Sequence, residues 1–112
     1  MSGDNAAELK AAVLILADLV GYQDRSVVSR EIMRNKSGTV SVFAFDAGEG
    51  LSEHTAPFDA LVQVLDGAAG IVIGGEPFAV RAGESVIMPA GVPHSLHAPE
   101  NFKMLLTLIR GD

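Results

Sequence analysis

Cysteine and tryptophan are absent from this chain of 112 residues, tyrosine occurs once, and there is no run of basic residues. Without cysteine there can be no disulfide, no thiolate metal ligand and no cysteine nucleophile, and a reducing compartment is expected. Lysine and arginine total 8 against 14 acidic residues, a formal charge of −6, so a phosphate backbone would be repelled and nucleic-acid binding is not expected. Long apolar runs are missing too. The stretch Ala11–Ala17 stops at Asp18 and is too short to cross a bilayer. The first ten residues carry Asp4 and Glu8 against Lys10, the wrong charge for a secretory signal. These absences leave a cytoplasmic protein without a membrane partner as the expectation.

The chain is rich in apolar residues (48%), enough for a core, and its length suits one domain over residues 1–112. Nine of the 12 glycines fall between Gly38 and Gly91, separating short runs rich in Val, Ile, Leu and Phe. Short strands punctuated by glycine turns predict an all-β sandwich or barrel. Strands are expected at Ser26–Arg34, Thr39–Phe45, Ala60–Leu65, Ile71–Ile73, Phe78–Val80, Ser85–Met88, His94–His97 and Phe102–Ile109. In Thr39–Phe45, Val40, Val42 and Ala44 share one face and Ser41, Phe43 and Phe45 the other. The N-terminal stretch is ambiguous. Asn5 and Glu8 could form a capping box for a helix reaching Leu19, whereas Val13–Leu16 favours a short strand with Ala17–Val20 as a turn.

Two spacings carry chemical information. Gly83, Pro89, Gly91 and His94 form glycine, five residues, proline, one residue, glycine, two residues, histidine. Upstream, Gly48, His54 and Gly67 sit at the glycine, first-histidine and final-glycine positions of a glycine, His-x-His, glutamate, glycine pattern. With these residues the chain resembles the cupin family of double-stranded β-helix (jelly-roll) barrels. In that pattern the second histidine position is Ala56, the glutamate position is Ala60, and a frequent asparagine after the last histidine is Ala98.

The resemblance implies a metal site of three histidines and a carboxylate facing into the barrel, suited to Fe, Mn, Ni, Cu or Zn. Here only His54 and His94 remain as metal ligands, an incomplete set. Strand parity turns Glu53, Asp59, Gln63 and His97 away from the ligand positions unless a bulge re-aims one of them. Structural roles compete: His54 as a hydrogen-bonded barrel histidine, the motif glycines and proline as turn formers, Met88 and Met104 as apolar filler. Ser95, beside His94, should face the other way.

Two functional readings follow. In the first, a small organic ligand is bound in a cavity lined by His54, Ala56, Ala60, Val62, Val64, His94 and Leu96. In the second, suggested by the resemblance, the chain is a metal-dependent enzyme of dioxygenase or isomerase type. Metal-free acid–base chemistry on a sugar nucleotide has less support, because the single tyrosine and absent tryptophan offer little stacking surface. A homodimer is also expected, since Val13–Leu16 and Met104–Ile109 are more apolar than one thin barrel needs.

Overall fold

Nine antiparallel strands form two facing sheets in a computed structural model that describes residues 9–110. They are β1 (Val27–Asn35), β2 (Gly38–Phe45), β3 (Gly50–His54), β4 (Asp59–Asp66), β5 (Ala68–Ile73), β6 (Glu76–Arg81), β7 (Ser85–Met88), β8 (His94–His97) and β9 (Phe102–Ile109). One sheet has the order β1-β2-β9-β4-β7 and the other β3-β8-β5-β6. The chain crosses repeatedly between the sheets, as the jelly-roll expectation requires. Tight connections explain the glycines: Gly67 (φ +73°) links β4 to β5, and a Cβ there would overlap the carbonyl of Asn101.

The space between the sheets is filled by alternate residues of each strand. Phe45 and Phe102, cross-strand partners on β2 and β9, stack with ring centroids 4.4 Å apart. Around them pack Val62, Val64, Ile71, Leu96 and Met104. Burying each large side chain is worth ~1.5–3 kcal/mol, so this cluster is the main source of stability. The alternation read for β2 holds: Phe43 and Phe45 join the barrel core, while Val42 and Ala44 turn outward.

Those outward residues explain the N-terminal segment. Val42, Ala44 and Ile32 form a second cluster with Val20, covered by Leu9, Leu16, Leu19 and Tyr22. The chain before β1 is therefore a strap across the outer face of the five-stranded sheet. The expected strand at Val13–Leu16 is corrected here: no ladder includes it, and Leu16–Leu19 is a short 3-10 helix instead. The outer face of the sheet offers apolar side chains rather than a free edge, so packing and not ladder pairing decides the local conformation. The proposed capping residues Asn5 and Glu8 lie outside the described residues. In the opposite direction, β3 is a strand that the sequence pattern did not disclose.

A polar clasp fixes the strap. The Tyr22 hydroxyl donates to the Asp66 carboxylate, and Lys103 Nζ lies 5.0 Å from the centre of the Tyr22 ring while donating to the Ala17 carbonyl at 2.6 Å. Burial, then the hydrogen bond and negative charge of Asp66, push the Tyr22 hydroxyl well above the ordinary phenol value. The folded protein thus holds this proton more tightly than the unfolded chain. That contribution is complete below the unfolded value near ~10 and is lost as pH rises toward the folded one.

Two outcomes are expected. In urea titrations, wild-type stability should fall more steeply above pH ~10 than that of Tyr22→Phe, which lacks the titrating hydroxyl; parallel profiles would contradict the clasp. Gly67→Ala should cost more than ~1 kcal/mol in the same assay, because alanine is forced into a left-handed conformation against a backbone carbonyl.

Candidate ligand site at the barrel mouth

At one end of the barrel β3 and β5 terminate while β4 and β8 begin, and hydrogen bonds tie the connecting loops together. Gly91 donates its N–H to the Ala56 carbonyl at 2.8 Å, Ala90 to Asp59 Oδ1 at 2.9 Å, and Gly74 to the Pro93 carbonyl at 2.8 Å. Asp59 is therefore engaged in holding the loop Pro89–Pro93. Gly91 sits at φ +76°, the conformation that lets this loop turn back into β8. The motif residues Pro89 and Gly91, with Pro93 after them, thus deliver His94 to the first position of β8.

His54 reaches the same place by a different device. Gly50 pairs with His97 and Leu51 with Leu96, but the next pair is His54 with His94. Ser52 and Glu53 together oppose Ser95, which is a β-bulge. The extra residue turns His54 to the same face as Leu51, toward the barrel interior. It also brings the Ser52 carbonyl within 2.8 Å of His54 Nδ1. His94 Nδ1 lies 3.1 Å from the Val92 carbonyl. A carbonyl only accepts, so both Nδ1 atoms carry the proton.

The consequence lies at the other nitrogens. His54 Nε2 and His94 Nε2 are 3.2 Å apart, with the ring planes at 70°. In uncharged rings with Nδ1 protonated, both Nε2 atoms present lone pairs to the same point. Such a pair favours a partner that donates, either a proton-bearing group or a cation. His94 retains 4% of its accessible surface, whereas His54 is exposed on the edge strand. The site is thus half wall and half opening.

The remaining sequence-expected lining residues take other positions. Ala60, Val62, Val64 and Leu96 all belong to the packed barrel core. Ala60 retains 1% exposure and Val62 none, so a water-sized void hardly touches the first and does not touch the second. Ala60 is flanked on its own face by its cross-strand partners Met88 and Leu108. Ala56 lies beyond the end of β3, in the loop, where strand parity no longer applies. His97 lies outside the barrel with its ring against Gly70, where any Cβ would overlap it. Accessible surface is found nearer the mouth, where His54, His94, Ile73 and Glu76 form one cross-strand row; in the next row Leu51 and Phe78 keep accessible surface while Leu96 and Ile71 between them are buried.

The donor set decides the fit to a metal. Two imidazole nitrogens converge, but no group of three or more His, Cys, Asp or Glu side chains among the described residues is placed to hold a metal ion. The chain's own residues therefore do not fit the complete centre that the family pattern implies. Among the described residues, no helix is long and apolar enough to cross a membrane.

Comparison with known proteins agrees with this architecture. The family model described as "Cupin domain" matches residues 41–109, and the chain belongs to that family. A conserved protein of unknown function from Streptococcus pyogenes is 36% identical with a TM-score of 0.87, covering 91% of this chain and 90% of that one. A cupin 2 conserved barrel domain protein from Leptotrichia buccalis is 43% identical with a TM-score of 0.82 over 85% of this chain and 46% of its own. An uncharacterized protein of Streptomyces coelicolor is 34% identical over 67 residues, 60% of this chain; the match spans 64% of that relative's length.

The tautomers are directly measurable. Long-range 1H–15N correlation spectra should show both rings, when uncharged, protonated at Nδ1. A proton resident on Nε2 of either ring would contradict the carbonyl anchoring.

Proposed function

We propose that this chain binds a small organic molecule at the mouth of its barrel, with its polar group oriented by Nε2 of His54 and His94 and without a complete protein-supplied metal centre. The observation that carries the reading is the 3.2 Å approach of two nitrogens whose rings are each anchored through Nδ1. A ligand hydroxyl would supply the donor that the facing lone pairs call for. The filled core below sets the size: the ligand rests on Ile73, Phe78 and the rim, rather than descending to Val62 and Val64. Ala56 and Ala60 belong to this reading as the positions where the family pattern would supply further ligands. Binding and orientation follow from the groups present. Among the described residues no activated nucleophile or matched acid–base pair accompanies them, so catalysis is not part of the proposal.

One observation favours a second reading. Convergent imidazole nitrogens also suit a divalent transition metal, which would make the chain a metal-dependent enzyme of dioxygenase or isomerase type. That reading requires donors beyond the two imidazoles. Protein purified without a histidine tag should carry no stoichiometric transition metal, before or after reconstitution. One equivalent of metal per chain, lost in His94→Ala, would replace the first reading with the second.

The protein in this reading acts in the cytoplasm as a homodimer. Support comes from the strap, where Val13 is fully exposed and Ile15 is 68% exposed, apolar side chains that a second copy would cover. Light scattering at micromolar concentration should give twice the chain mass of 11.7 kDa; a monomer mass would remove the dimer.

A further inference from the structure

The five-stranded sheet contributes a second recognition element to the same mouth. β4 and β9 pair with Asp59 opposite Ile109 and Ala60 opposite Leu108. Ala60 and Leu108 face the barrel interior, and beyond them lie Phe58, just before β4, and Arg110, just after β9. The bond from the Arg110 N–H to Ser37 carries the β2–β9 register one pair past Gly38 and Ile109, which keeps Arg110 on the face of Leu108. The two are in contact: the Arg110 guanidinium lies over the Phe58 ring, 5.3 Å from its centre. The Arg110 backbone is fixed as well, its N–H donating to the Ser37 carbonyl at 2.8 Å. Among the described residues Arg110 has no carboxylate partner.

We infer that Arg110, stacked on Phe58, is the carboxylate-recognising residue of this site, so that its ligand is a small hydroxy-carboxylic acid with the carboxylate at Arg110 and the hydroxyl at the imidazole pair. The inference rests on the ligand-binding reading above and extends it to a chemical class. The Arg110–Ser37 bond and the ring contact place Arg110 and Phe58 at the end of one sheet, beyond Leu108 and Ala60, and His54 and His94 lie at the same end of the facing sheet. Facing sheets lie ~10 Å apart, a gap that side chains narrow from both sides, so a molecule of a few carbons spans them. A guanidinium binds carboxylate through two parallel hydrogen bonds, and the aromatic face holds the fork in place. The charge balance favours a single negative charge. The chain carries a net −6, and Glu76 ends the row that contains the histidines. A dianion would meet this negative field with one cation to offset it.

The experiment uses the full chain and four probes: 4-hydroxybutyrate, its neutral amide, butyrate and inorganic phosphate. Binding is followed by the 15N resonances of the His54 and His94 rings and by calorimetry. The acid should bind and shift both rings, and the amide should bind about tenfold more weakly, because a charge-assisted pair is replaced by a neutral one. Arg110→Gln should weaken the acid by about the same factor and leave the amide unchanged, and Phe58→Ala should act in the same direction. Butyrate should depend on Arg110 without shifting the rings, and phosphate should bind more weakly than the acid.

Equal affinity for acid and amide, or indifference of the acid to Arg110→Gln, would overturn the role of Arg110. The ligand-binding reading would survive if both compounds still shifted the rings. An acid that depends on Arg110 without moving the rings would instead separate the two halves of the mouth and overturn the hydroxy-acid assignment. Phosphate binding as tightly as the acid, or no binding of any probe up to ~10 mM, would also overturn it.

Discussion

The position of β8 between β3 and β5 is the constraint on which the site depends. Its register with β5 places His94 opposite Ile73, and its register with β3, interrupted once, places His94 opposite His54. Side chains alternate along a strand, so a slip of one residue on either side would exchange interior for exterior and separate the imidazoles. The bulge at Ser52 and Glu53 converts an odd spacing into a shared face. It also turns a carbonyl toward His54 Nδ1 at 2.8 Å, so the feature that aims the ring also sets its tautomer. The loop ahead of β8 does the same for His94 through Val92. Two unrelated local structures thus produce one matched pair of lone pairs.

Much of the fold was legible because its signals are local. The alternation in Thr39–Phe45 assigned Phe43 and Phe45 to one face and Val42 and Ala44 to the other, and each face meets its own cluster. The glycines marked the turns, and Gly83, Pro89, Gly91 and His94 identified the barrel family. β3 was missed because Gly50–His54 has one large apolar residue, Leu51, and lies exposed at a sheet edge. At the N-terminus the β-favouring run Val13–Leu16 misled. Its conformation is decided by Leu16 and Leu19 settling on Val42 and Ala44, a contact between distant parts of the chain.

The site was legible to a smaller extent and for the same reason. Motif spacing pointed to His54 and His94. The Nδ1 anchors depend on a bulge that no pattern of residue types announces. Arg110 and Phe58 are 52 positions apart in the chain and meet only through the β4–β9 register, so no motif could have joined them. Parity assigned Ala60 to the cavity wall, and the structure packs it into the core. Parity could not show that neighbouring strands would close around it, because packing density is a property of the assembled sheets.

That closure bears on the direction in which this barrel can change. Met88 and Leu108 stand on either side of Ala60. Placing a carboxylate there would push a charge into apolar surroundings at a cost of several kcal/mol unless a cation were already in place to meet it. Nor is there volume to receive it while the thioether keeps its position. Building a full chelate on this barrel would therefore call for replacements on at least two strands together. Met88 thus acts as a plug: any side chain longer than alanine at position 60 is admitted only together with a smaller one at position 88.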